Sequence, residues 1–185
     1  MFNSLMSDAK PFMIQTPTAP TKSLEINASR QFTPWLLEQN LSLAFTTYQA
    51  GKLFFIGLQP DGRLSVFERT FERCMGLYAQ GSSLYMSSLY QLWRLENTLQ
   101  PGQTHNSYDA LYLPQVGYVT GDLDIHDIVL AQADAKKSSQ KLIFVNTLFS
   151  CLGTVSDTHS FIPIWQPPFI TKLAAEDRCH LNGLA

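Results

Sequence analysis

Three carboxylates and an imidazole fall within seven residues, Gly121-Asp122-Leu123-Asp124-Ile125-His126-Asp127, and the run continues into the apolar Ile128-Val129-Leu130-Ala131. Oxygen donors at this density suit a hard divalent cation such as calcium. An imidazole beside a carboxylate suits proton transfer near neutral pH. In an extended chain Asp122, Asp124 and His126 share one face while Leu123 and Ile125 take the other, which lets the polar groups converge. The competing role is structural, because Asp in loops caps backbone N–H groups through Asx-turns.

A second polar stretch, Asp177-Arg178-Cys179-His180, leads into Leu181-Asn182-Gly183-Leu184-Ala185. His180 is a second candidate for proton transfer; with Cys179 its alternative is a buried, hydrogen-bonded brace. Glu176, Asp177 and Arg178 read first as a surface ion-pair network. Asn146 interrupts the apolar run Lys141 to Thr147 and is either a ligand lining a channel or a polar residue satisfying a bulge. Cys74 and Cys151 read as small core residues. His105 and His159 fall in polar loops and carry no assignment. A zinc site would need His126, Cys179 and His180 together and is a minor reading. The chain has no Walker-type loop, no GxGxxG after a strand, no GxSxG elbow and no HExxH helix. No local pattern marks a Ser or Cys nucleophile.

The elements that position these groups belong to an ordinary folded chain. With 185 residues, 15% of them charged and 12% aromatic, and a net charge of −2, the chain can bury a core as one domain. That balance offers no basic face, so nucleic acid is not an expected partner. Three cysteines without CxxC spacing argue against a disulfide framework and fit reduced thiols in the cytoplasm. No window reaches the ~20 apolar residues of a spanning helix, and the first residues lack a signal-peptide core, so a membrane is not expected. Residues 1–22, with Pro11, Pro17 and Pro20 among Ser and Thr, read as a disordered leader, and 23–185 as the folded domain.

Ser29 is placed to cap a short helix over Arg30 to Gln39, with Phe32, Trp35, Leu36 and Leu37 as its apolar stripe. Pro34 is tolerable only in its first turn. Beyond Asn40 the pattern turns to strands: Leu43 to Thr47, Lys52 to Leu58 and, after the Pro60-Asp61-Gly62 turn, Arg63 to Arg69. The theme recurs as Met75 to Ala79, Leu84 to Ser88 and Tyr90 to Glu96, followed by a loop holding Pro101, Gly102, Asn106 and Pro114. It recurs again as Ile125 to Ala131, a polar loop over 134–140, Lys141 to Thr147, Cys151 to Val155 and Ser160 to Trp165. Leu181 to Ala185 then reads as the start of another first strand.

Aligned on their first strands, the units place Gly76-Leu77, Ile128-Val129 and Gly183-Leu184 in correspondence, at separations of 52 and 55 residues. A unit of three or four antiparallel strands repeated at roughly 40–50 residues is the signature of β-propeller blades, with an irregular β-sandwich as the rival. The expected fold is all-β: a partial propeller of about three blades with a short N-terminal helix.

Tyr90-Gln91-Leu92-Trp93-Arg94, Gly121 to Asp127, Phe144 to Cys151 and Lys172 to Ala185 resemble, from roughly Leu41 onward, an uncharacterised bacterial family described as conserved hypothetical proteins or as a domain of unknown function. Its members are longer and continue beyond the Asn-Gly-Leu-Ala. The resemblance therefore implies the N-terminal half of such a protein, a truncated product, and no particular activity. Asn182-Gly183-Leu184-Ala185 is also similar to the Asn-Gly-Leu-Ala opening an inner strand in gluconolactonase-like six-bladed propellers, whose Asn is a ligand of a divalent cation on the central axis. That similarity implies Asn182 as a ligand. The repeat puts Asp127 at the matching position, and Met75 at the next, a departure because a thioether does not bind calcium.

Two readings follow. The first is a binding or scaffold propeller whose end loops recognise a small molecule or a protein. The alternative is a metal-dependent hydrolase of lactonase type. In it a divalent cation such as calcium, held by Asp127, Asn182, Asn146 and Asp122, polarises a carbonyl and activates water, while His126, Asp124 and His180 move protons. Convergence of Asp127, Asn182 and Asn146 on one point favours the hydrolase; different directions favour binding. An uncapped run of blades exposes an apolar face near Pro167 to Ala185. Self-association through the incomplete ring is therefore expected, with 181–185 poorly anchored or packed on another copy.

Overall fold

The computed structural model describes residues 25–134 and 137–184, so the leader expected over residues 1–22 lies outside them. The first element is helix α1 (Phe32–Gln39), which starts two residues later than its apolar pattern predicts. Its N-cap is Gln31 and no side chain caps it; Ser29 contributes only its carbonyl, which accepts the Phe32 N–H at 3.1 Å. Pro34 sits in the first turn, where a missing N–H costs nothing. Of the expected stripe only Leu36 is buried, and Leu37 faces solvent. Asn40, in the left-handed region at φ 51°, closes the helix. Eight residues are too few to hold a helix alone, and α1 rests on the second strand of the first sheet.

The rest is β-structure. Strands β1 (Leu43–Thr47), β2 (Lys52–Leu58) and β3 (Leu64–Thr70) form an antiparallel sheet in chain order. A second sheet joins β4 (Leu77–Gln80), β5 (Ser83–Ser87), β6 (Gln91–Asn97) and β7 (Tyr112–Val119). A third joins β8 (Ile125–Asp134), β9 (Lys137–Asn146), β10 (Cys151–Thr154) and β11 (Ile162–Trp165). Every strand in each sheet pairs antiparallel with its neighbour in the chain, so short turns suffice as connections. Among the described residues no helix is long and apolar enough to cross a membrane.

Three sequence expectations are corrected. The long loop around Pro114 contains β7, an edge strand. Its register slips between Arg94 and Leu95, so Pro114 stands at an irregularity where its missing donor is harmless. Of the polar loop expected over 134–140, residue 134 ends β8 and residues 137–140 open β9, with Ala131 opposite Lys141 and Gln132 opposite Gln140. Leu181 to Leu184 forms no strand.

Each pair of consecutive sheets shares a core. Leu53 and Cys74 meet Leu84, Met86 and Leu95 between the first and second sheets. Leu92 meets Leu123, Ile125, Ile128, Leu142 and Phe144 between the second and third. The central strands β2 and β5 and the inner half of β9, Leu142 to Asn146, are therefore largely buried, while the edges are wetter. Close approach is set by Gly76, where an added Cβ would lie 3.0 Å from Ile128 Cγ1 and 3.2 Å from Asp127 Cα. The entry of β4 thus touches the entry of β8.

Hydroxyl groups tie the first and second sheets to the chain segment leading into the next, and the third sheet to the Leu181 segment. Thr46 Oγ1 donates to the Met75 carbonyl at 2.5 Å, Ser87 Oγ to the Ile125 carbonyl at 2.8 Å, and Thr147 Oγ1 to the Leu181 carbonyl at 2.6 Å. Ser87 Oγ also accepts the Gly76 N–H at 2.9 Å, so one buried hydroxyl serves two sheets.

Candidate functional site

The polar residues of the Gly121 to Asp127 segment collect where these sheet entries meet. Leu123 and Ile125 are buried in the core, which turns Asp122, Asp124 and His126 the other way. A bulge adds to this. Ile125 pairs with Asn146 and Ile128 with Phe144, so His126 and Asp127 together oppose the single residue Val145. Bulges re-aim side chains at such places.

Arg73, from the loop after β3, clasps this segment. Its guanidinium lies 3.1 Å from Asp122 Oδ2 and 2.8 Å from Asp124 Oδ1, and it stands over the Tyr48 ring at 5.4 Å. Partial burial works against its charge but is outweighed by Tyr48, Asp122 and Asp124, which hold its pKa above the ordinary value. The other Asp124 oxygen is 3.3 Å from His126 Nε2. His126 Nδ1 lies 2.7 Å from Asn182 Oδ1. The rings of His126 and His180 meet edge to face at 4.9 Å between centroids, and His180 Nδ1 is 2.7 Å from Asp177 Oδ2.

A single network thus runs from Arg73 through Asp124 and His126 to Asn182, His180 and Asp177. His126 is largely covered, with 13% of its side chain exposed, and both its nitrogens are engaged. His180 is 58% exposed and bonded at Nδ1. The buried Cys179–His180 brace is therefore corrected: Cys179 is half-buried and His180 faces solvent.

The proposed oxygen ligands each have another partner. Asp127 Oδ1 accepts the Ile128 N–H and Oδ2 the Leu184 N–H, both at 2.8 Å. Asn146 Oδ1 accepts the Phe149 N–H at 3.0 Å, and its buried Nδ2 has no partner among the described residues. Asn182 faces His126, and Asp122 faces Arg73. Among the described residues no group of three or more His, Cys, Asp or Glu is arranged to hold a metal ion. Asp127, Asn146 and Asn182 thus point to different partners.

Beside the network, Glu176 pairs with Arg178 and Lys172, which lower its pKa; of the Glu176, Asp177 and Arg178 cluster expected from the sequence, Asp177 turns instead to His180. Ser150 Oγ accepts the Arg178 N–H at 2.9 Å, bringing the Asp177 to His180 segment against the end of β9. Cys74 and Cys151 are buried and, like Cys179, free; burial raises both core thiols, Cys151 to about 11. His105 and His159 stay in exposed loops apart from this network.

Arg73 is the member that motif reasoning missed. Its signal is a repeated dipeptide: Arg73-Cys74 precedes Gly76-Leu77, and Arg178-Cys179 precedes Gly183-Leu184.

Fold and site together define an all-β protein of three antiparallel sheets with a histidine–carboxylate network at the junctions between them. The chain belongs to the family described as Domain of unknown function (DUF4915), which matches residues 30–185. No curated protein and no solved structure matches it.

Proposed function

We propose that this protein is a ligand-binding β-propeller module, its sheets serving as successive blades and the Arg73–Asp124–His126–His180 network as the recognition site. One observation carries this reading. Arg73, Asp124, Asp177 and His180 all have left-handed backbone, with φ of 50°, 49°, 44° and 42°. They are four of the eight non-glycine residues with positive φ among the described residues, and all four belong to this network. Such conformations cost of order 1 kcal/mol or more for non-glycine residues, and they concentrate where function demands a geometry.

The chemistry favours a small ligand rich in donors, such as a polyol or an amine. Asp177 Oδ2 engages His180 Nδ1, which leaves Nε2 of this 58% exposed side chain free for a ligand. Asp122, 43% exposed, adds carboxylate oxygen nearby. The free thiols suit the reducing cytoplasm. The lactonase-type hydrolase is the weaker reading, because Asp127, Asn182, Asn146 and Asp122 are each engaged by a different protein partner, and among the described residues no group of three or more His, Cys, Asp or Glu is arranged to hold a metal ion.

The test is a thermal-shift screen with sugars, polyols, amino acids and polyamines on the wild type, His180→Ala and Asp122→Asn. Compounds that stabilise the wild type are expected to lose their effect in both variants, while the unliganded melting temperatures stay within a few degrees. Ligand responses unchanged by both variants, or a melting temperature that collapses in His180→Ala, would mark the network as bracing only.

A further inference from the structure

A concave site lies between the first and second sheets, with none of Arg73, Asp124, His126 or His180 in its lining. It is a cleft of about 250 Å³ walled by Phe71 and Glu72 on one side and by Ser88, Tyr90, Gln91 and Trp93 on the other. The Leu89 N–H donates to the Glu72 carbonyl at 2.8 Å, fixing the spacing of the two walls. The aromatic groups are set rather than loose. Trp93 Nε1 donates to Ser88 Oγ at 3.1 Å. One part of the indole lies over Gly117, where an added Cβ would come within 3.3 Å of the ring. Phe71 meets Trp93 at 6.1 Å with an interplanar angle of 60°, two walls at a steep angle. Tyr90 completes the rim at 55% exposure.

The electrostatics are one-sided. Neither Lys nor Arg lines the cleft, and Glu72 is exposed and has no ion pair among the described residues. Aromatic faces carry negative potential and attract organic cations, most strongly when a carboxylate adds to the field and the cation is weakly hydrated. We propose that this cleft binds an organic cation of the quaternary or methylated ammonium class. The trimethylammonium group sheds water readily and needs no hydrogen-bond donors from the walls. A neutral sugar would stack on the same rings and could hydrogen-bond Glu72, so the positive charge is what the uncharged comparison must isolate.

The experiment uses a Trp35→Phe, Trp165→Phe protein, in which Trp93 is the sole indole. It is titrated at constant ionic strength with choline chloride and with its uncharged isostere 3,3-dimethylbutan-1-ol, reading fluorescence. The expected result is a saturable change with choline and none with the isostere over the same range. Glu72→Gln and Tyr90→Ala, both at exposed positions, are expected to weaken choline binding about five- to tenfold without shifting the melting temperature. Equal response to the isostere or to glucose, an unchanged affinity in Glu72→Gln, or no saturable response to choline would each overturn the assignment.

Discussion

Asp124 Oδ1 lies 2.8 Å from the guanidinium of Arg73, a residue 51 positions earlier in the chain, so the second and third sheets are joined at their entries by an ion pair. The pair is partly exposed, with 32% and 20% of the side chains accessible, so solvent screening limits its worth. A double-mutant cycle with Arg73→Met and Asp124→Asn is expected to give a coupling of about 1 kcal/mol from urea denaturation. Coupling within error of zero would show that the clasp does not hold the entries together.

Ser87 offers a sharper test, because its hydroxyl is buried and serves two main-chain partners. Ser87→Ala leaves the Gly76 N–H and the Ile125 carbonyl short of a partner. The expected loss is about 2–3 kcal/mol in unfolding free energy. A loss under about 0.5 kcal/mol, the scatter of ordinary surface changes, would mean that the two sheets close the gap by other bonds.

Gly76 holds the sheets at their spacing. With Ile128 Cγ1 at 3.0 Å and Asp127 Cα at 3.2 Å from an added Cβ, Gly76→Ala requires Ile128 and the Asp127 backbone to give by a few tenths of an ångström. Overpacking of this kind costs about 1–3 kcal/mol. Because Asp127 also holds the Leu184 N–H, hydrogen exchange at Leu184 is expected to accelerate in the variant. Unchanged stability and unchanged exchange would refute the close contact.

Cys151 predicts a pH dependence. Burial raises its pKa from 9.0 to about 11 in the folded chain. The unfolded thiol ionises first as pH rises, so the unfolded state gains stability between pH 9 and about 11. The contribution is complete below pH 9 and lost through that window, amounting to about 2–3 kcal/mol. Cys74 is shifted in the same direction by burial. Urea midpoints measured across this range should fall less steeply in Cys151→Ala than in the wild type. Parallel curves would contradict it.

Much of the β-architecture is legible where turn residues punctuate apolar runs. Leu43–Thr47 and Lys52–Leu58 match their strands end to end, because each is bounded by a turn and packs an apolar face. β7 is hidden, because Pro114 and Gly117 imitate loop residues and its pairing with β6 is decided across the sheet. The extended β8–β9 hairpin is hidden for a related reason: its outer pairs, such as Gln132 opposite Gln140, continue a ladder without burying apolar surface. In the site, density of carboxylates is enough to single out Asp122, Asp124 and His126. What composition cannot tell is whom each oxygen serves. Asp127 is spent on main-chain N–H groups, and Arg73 is recruited from another sheet's loop.

The hydroxyl ties from Thr46, Ser87 and Thr147 share an asymmetry: a side chain donates, and a main-chain carbonyl receives. Every residue type carries that carbonyl, so the receiving segment is free to change its side chains without losing the tie. Only the donor is under constraint, and at two of these three sites that constraint is met by threonine. A gene segment encoding one sheet could therefore be duplicated, exchanged or diverged at its leading edge and still dock on the sheet before it. The polar network sits on those leading edges, where the hydroxyl ties themselves place no demand on side chains and the constraints fall on particular residues such as Gly76 and Asp127.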